Sequence, residues 1–200
     1  MYALLDDASR KVHSLREFRL AYGDAAATAT LTGVAVGEPE GADGGEVVVP
    51  VEVRTRVFGR LRLQLRLPVS GERVTWGPLL AFPGLRRGEG LSRRSEPPVR
   101  GALVSRDGKV LARGEASNRT SPLEAIAGSI AGTLSPEETE EERRALYAQG
   151  FPRDWPVGQT GLEEAFESRL AGRPGGDLLA GTRVLASARP VKAKPVRTTI

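Results

Sequence analysis

The stretch EVVVPVEVRTRVFGRLRLQLRLPV, residues 46–69, constrains the fold of this 200-residue chain more than any other. Apolar and charged side chains alternate through it, and strict alternation with many β-branched residues marks strands with one buried face. Val49, Val51, Val53, Thr55, Val57, Leu61, Leu63, Leu65 and Leu67 make an oily side, and Glu52, Arg54, Arg56, Arg60, Arg62, Gln64 and Arg66 a mostly cationic one. The chain is expected to reverse near Phe58 and Gly59. Facing residues then share a face only if the loop has an odd number of residues, because a one-residue slip turns every side chain to the wrong side. A loop of Phe58, Gly59 and Arg60 sets Glu52 opposite Arg66 and Arg56 opposite Arg62. Each such pair is worth roughly 0.2–1 kcal/mol, attractive in the first case and repulsive in the second. The polar side reads as a solvated sheet face whose surplus positive charge is open to an anionic partner.

Capping patterns place the helices. Ser14 and Glu17 form a capping box for a short helix ending at Gly23, followed by a strand in AATATLTGVAV. Ser121, Pro122 and Glu124 start a second helix, and Ser135, Pro136 and Glu138 a third that stops at Gly150. The third gathers acids in its first turns and places Arg143 and Arg144 later, which suits the helix dipole. In GQTGLEEAFESRLAGRPGGD, residues 158–177, Thr160 and Glu163 fit another capping box for a helix beginning at Gly161. Its apolar face is Leu162, Ala165, Phe166 and Leu170, Arg169 lies in the last turn, and Gly172 is the left-handed stop. Asp107 and Gly108 turn a hairpin between ALV and VLA. Residues 83–98, rich in Pro, Gly, Arg and Ser, read as a connection between two modules, and residues 177–200 as one strand and a basic extended connector.

Much chemistry is excluded. The chain has no cysteine and a single histidine, His13, so neither a thiolate metal site nor a histidine cluster can form. The glycines of residues 158–177 follow Pro156 and a polar loop instead of a strand, unlike a dinucleotide fingerprint. No Gly-x-Ser-x-Gly elbow is present, and the acidic run at 137–142 lacks the alternating ligands and glycine turn of a calcium loop. The longest apolar run, AIAGSIAGTL, is too short to span a membrane, and acids follow Met1 where a secretory signal needs a basic start. A net charge of +4 favours anionic neighbours, yet aromatic residues make up only 5% of the chain, which weighs against nucleic acid.

The order RGALVSRDGKVLA, SPLEAIAGSIAGTLSPEE, QGFPRDWPVGQTGLEEAFESRLAGRPGG and KPVRTTI resembles the dimerisation or pedestal domain of class B penicillin-binding proteins. AYGDAAATATLTGVAV, VPVEVRTRVFG and WGPLLAFPGLRRGEGLSR resemble the nuclear transport factor 2-like domain that precedes it in the methicillin-resistance type. The resemblance implies an α+β fold: a partial cone-shaped module over residues 1–88, a linker at 89–98, an elongated pedestal over 99–196, and at 197–200 the start of the junction to a transpeptidase domain. That family's Ser-x-x-Lys, Ser-x-Asn and Lys-Thr-Gly motifs have no match between Met1 and Ile200. No catalytic, cofactor-binding or metal-binding residue is therefore assigned, and no cofactor is expected. The implied role is a non-catalytic scaffold, on the extracytoplasmic face of a bacterial membrane, that positions a D,D-transpeptidase for peptidoglycan cross-linking. The partners implied are peptidoglycan or cell-wall synthesis proteins and a homodimer, with membrane anchoring in the full-length protein and no nucleic acid. The alternatives are a free-standing wall- or protein-binding module and, behind it, a basic nucleic-acid-binding protein.

Overall fold

The computed structural model describes residues 1–41, 45–122 and 124–199, excluding the side chains of residues 124–127. The fold is α+β, in two compact units: Met1–Arg94 with Asp177–Ser187, and Ser95–Gly176 with Ala188–Ile200. The first unit opens with helices α1 (Asp7–Val12) and α2 (Leu15–Thr28). Strands β1 (Leu31–Val36), β2 (Glu40–Gly41), β3 (Glu46–Thr55), β4 (Gly59–Ser70) and β5 (Arg73–Val74) follow. They form one antiparallel sheet in the order β1-β3-β4-β5, with β2 also on β3.

The Ser14–Glu17 capping box forms as expected, but α2 runs past Gly23 to Thr28. Its apolar side continues through Ala25 and Ala27, both buried, and this packing offsets the ~1 kcal/mol a helical glycine costs relative to alanine. The left-handed residue after the helix is Thr30, at φ 54°. Its hydroxyl accepts from the Val57 amide and its carbonyl from the Arg56 amide, so the hairpin end holds it there. Arg93 donates to the carbonyls of Ala27 and Thr28 at the end of α2, where a cation complements the dipole.

The β3–β4 loop is odd-numbered as expected, but it consists of Arg56, Val57 and Phe58. The turn comes two residues early and the pairing is displaced by four, so Glu52 faces Arg62 instead of Arg66, and Arg54 faces Arg60. The Thr55 side chain explains the shift: its hydroxyl accepts from the Phe58 amide and donates to the Gly59 carbonyl, closing the turn early. Val49, Val51 and Val53 are buried on the oily side. Leu5, Phe18 and Trp76 make an apolar cluster in the same unit, with Phe18 and Trp76 ring centroids 5.0 Å apart. His13 packs edge-on against Trp76 at 4.9 Å.

The segment 83–98 is not irregular throughout, since it contains strand β6 (Leu91–Glu96), whose residues alternate between half-buried and exposed. The second unit continues with β7 (Leu103–Val104) and β8 (Val110–Ala112) around the expected turn, where Gly108 has φ 83°. Then come α3 (Glu124–Ala131), β9 (Leu134–Ser135), α4 (Glu140–Ala148), β10 (Val157–Gly158), α5 (Gly161–Ala165) and α6 (Glu167–Leu170). The capping box expected at Ser121 and Glu124 lies outside the described residues. The one expected at Ser135 and Glu138 forms four residues later, between Thr139 and Glu142. Ser135 is unavailable as a cap because its backbone pairs with Val157 in the β9–β10 ladder.

After α6 the chain makes two strands where one was expected, β11 (Gly175–Ala180) and β12 (Arg183–Ala188), joined in a sheet of order β12-β11-β6. Strand β13 (Val196–Arg197) then runs parallel to β7. The second unit's core gathers Leu103, Leu111, Ala131, Leu170 and Val196, with a second cluster at Leu146, Phe151 and Val157.

Candidate functional site

The most concentrated chemistry lies inside the second unit, where two arginines and two glutamates meet. Arg100 precedes β7, Arg119 follows β8, Glu163 sits in α5 and Glu167 opens α6. Glu163 and Glu167 are four residues apart, so both reach the same side of the α5–α6 segment. Arg100 Nε and Nη2 donate to Glu163 Oε2 at 2.9 and 2.6 Å, and Nη1 and Nη2 donate to Glu167 Oε1 and Oε2 at 3.1 and 2.6 Å. Arg119 Nε donates to Glu163 Oε1 at 2.7 Å, while its Nη1 and Nη2 reach the carbonyls of Gly114 and Gly101 at 2.9 and 2.8 Å. Glu167 Oε2 also accepts from the Gly158 amide at 2.8 Å.

Glu163 is fully buried and Arg100 is 3% exposed. Burial works against the charge on Arg100, but hydrogen bonds and charge from Glu167 and then Glu163 hold its guanidinium above the ordinary arginine pKa. For Arg119 burial outweighs the help from Glu163 and the pKa falls, although an arginine remains charged at any pH the fold survives. Two positive and two negative side chains balance, so the group is electrically neutral.

Close backbone approach seats the group. A Cβ on Gly158 would lie 2.3 Å from the Glu163 carbonyl, and one on Gly132 would lie 1.9 Å from the Thr160 carbonyl. Only glycine fits at either position. Thr160 makes no cap with its side chain; instead its hydroxyl accepts from the Thr133 amide at 3.0 Å and meets the Thr133 hydroxyl at 3.1 Å. The capping box expected from Thr160 and Glu163 is thus corrected, because the two arginines bind the Glu163 carboxylate more strongly than a helix-end amide can. The helix does begin at Gly161, it breaks at Phe166, and Gly172 has the expected left-handed φ of 73°.

Sequence reasoning missed this centre. The available signal was two glutamates four apart beside an apolar helix face, together with Arg100 in the otherwise uncharged PPVRGALV. The arrangement can hold segments together, but it offers no acid or base for catalysis. Among the described residues, no group of three or more His, Asp or Glu is gathered as a metal site.

On the first unit, the expected cationic face is exposed at Arg54, Arg60, Arg62 and Arg66. Arg54 pairs with Glu52 at 3.2 Å and Arg66 with Glu46 at 3.6 Å. No described helix is long and apolar enough to cross a membrane.

Comparison with known proteins finds similarity over part of the chain. No curated protein matches the chain. Among solved structures, Pseudomonas aeruginosa PBP2 in complex with WCK 5153 is similar at 27% identity, over 52% of this chain and 22% of that one, with a TM-score of 0.38. The alignment therefore spans under a quarter of that structure's chain. Residues 114–193, which include Arg119, Glu163 and Glu167, match the family model described as Penicillin-binding Protein dimerisation domain.

Proposed function

We propose that this chain is the non-catalytic scaffold of a class B penicillin-binding protein, holding a D,D-transpeptidase in position outside the cytoplasmic membrane for peptidoglycan cross-linking. In this reading residues 1–88 form a nuclear transport factor 2-like module, 89–98 a linker and 99–196 the pedestal. The observation that carries it is the buried Arg100–Glu163–Arg119–Glu167 group. It ties together segments far apart in sequence and commits every charge it contains to structure. A rigid spacer needs such a centre, and a catalytic site would need a group left free to react. Peptidoglycan or wall-synthesis proteins are its partners, and the dimerisation domain supports a homodimer.

Labelled penicillin incubated with the chain is expected to leave no covalent adduct, and a stoichiometric adduct would overturn the non-catalytic reading. The coding sequence beyond Ile200 is expected to continue into Asp-Pro and then a Ser-x-x-Lys motif. A stop codon directly after Ile200 would favour a free-standing binding module instead.

A further inference from the structure

A shallow trough of about 560 Å³ on the polar face of the β1-β3-β4 sheet has no role in that scaffold. Cross-strand register builds this face in three rows. Gly33, Arg54 and Arg60 make the first, Ala35, Glu52 and Arg62 the second, and Gly37, Pro50 and Gln64 the third. Register partners share one side of a sheet, so β1 gives a low floor of Gly33, Ala35 and Gly37 while the arginines of β3 and β4 rise beside it. Arg54 leans over that floor: a Cβ on Gly33 would meet its Cδ at 3.9 Å. Arg54, Arg60 and Arg62 are all exposed.

Charge is not balanced within this face. Arg54 stands directly opposite Arg60, where like charges repel. Glu52 is the single carboxylate lining the trough, and Arg54 Nε already holds it at 3.2 Å. Arg62 faces the same glutamate, yet neither it nor Arg60 forms an ion pair among the described residues. Three guanidinium groups against one carboxylate leave a surplus of positive charge. Arg54 and Arg60 lie about 5 Å apart across the strands, and Arg60 and Arg62 about 7 Å apart along β4, so the three forks converge over one anion. A planar carboxylate is saturated by one bidentate arginine, whereas a tetrahedral phosphate turns oxygens toward several at once. The surroundings set the rest of the ligand. The central strand, β3, is paired on both sides, so the trough has no strand edge to extend. Its three rows carry no aromatic ring for a base or sugar to stack on, and no apolar side chain larger than proline to enter a lipid surface. What remains for recognition is phosphate charge repeated along a chain.

We propose that this face binds a linear, base-free phosphodiester polymer, with one phosphate held among Arg54, Arg60 and Arg62 and the chain continuing over the floor at Ala35 and Gly37. The probe is a fluorescein-labelled abasic deoxyribose-phosphate oligomer, titrated into the 200-residue chain at low salt and followed by anisotropy. Saturable binding is expected. It should weaken by about tenfold or more in the double variant Arg60→Glu, Arg62→Glu. The charge-matched pair Arg106→Glu, Lys109→Glu, on the exposed β7–β8 turn, should change it by about twofold or less. Arg60→Gln with Arg62→Gln should lower the slope of log affinity against log salt by about 1–1.5, and this milder pair carries the test should the charge reversal disturb folding by circular dichroism. Four results would each overturn the proposal: no saturable binding, equal affinity in the two charge-reversed double variants, displacement by polyglutamate as effective as by unlabelled oligomer at equal charge, or tighter binding to phosphatidylglycerol vesicles with the same dependence on Arg60 and Arg62. The third would mark a general anion surface, and the fourth a membrane-facing one. None of these results depends on whether the chain reacts with penicillin.

Discussion

Glu163 accepts three hydrogen bonds from two guanidinium groups and has no contact with water. Assembling such a group from solvated ions gains little, because desolvation cancels most of the Coulomb energy, but removing one member leaves the others charged, buried and uncompensated. Glu163→Gln is therefore expected to lower unfolding free energy by about 3–5 kcal/mol, read from urea denaturation midpoints. The solvent-exposed pair Glu140–Arg153 is the internal control: Glu140→Gln should shift the midpoint by about 1 kcal/mol or less. Arg119→Lys should also destabilise, since one ammonium cannot reproduce a planar fork that reaches Glu163, Gly114 and Gly101 at once. The identity of Glu163 as a structural ion was not legible in sequence, because a glutamate three residues after a threonine also fits a helix cap. What separates the two readings is the arrival of Arg100 and Arg119 from 63 and 44 residues away.

Helix caps depend on neighbours within three residues, and that is why elements were more legible than the centre they surround. The Ser14–Glu17 box was readable directly. The box before α4 was readable in kind but not in place, because Ser135-Pro136 and Thr139 satisfy the same local rule and only the distant Val157 decides between them. The β3–β4 hairpin shows the same division: its faces and odd loop followed from alternation, and its register from a Thr55 side chain that alternation ignores. These caps also titrate. The Thr139 hydroxyl and then its amide hold Glu142 below the usual glutamate pKa of 4.5, and the Ser14 amide and then hydroxyl do so for Glu17. A carboxylate with a depressed folded pKa contributes stability that is complete above its unfolded value and is lost as pH falls through the folded one. The melting temperature should thus drop on acidification from about pH 4.5 downward. In the double variant Glu17→Gln, Glu142→Gln it should start lower at neutral pH and fall less steeply, as melts across that range would record.

For the whole molecule, the path of the chain sets a condition on folding that linear boundaries conceal. The first unit is not closed by residue 94, since Asp177–Ser187 return to it after the second unit has been built. Those residues supply most of β11 and β12, and Arg183 brings its guanidinium to Glu89 and to the Gly84 carbonyl. The sequence reads as two consecutive modules because composition changes near residues 83–98 and no local feature of 177–187 points back toward them. The return has a measurable consequence. A fragment of residues 1–94 keeps the β1–β5 sheet and its aromatic cluster, but it leaves β6 without a neighbour and Glu89 without its cation. Backbone amides paired only through β11 exchange once that strand is gone, whereas those between β3 and β4 do not depend on it. Hydrogen exchange should therefore find Leu91–Arg94 protected in the whole chain and unprotected in the fragment, with Val49–Val53 protected in both. Equal protection of Leu91–Arg94 in the two would mean that the first unit is complete without the returning hairpin.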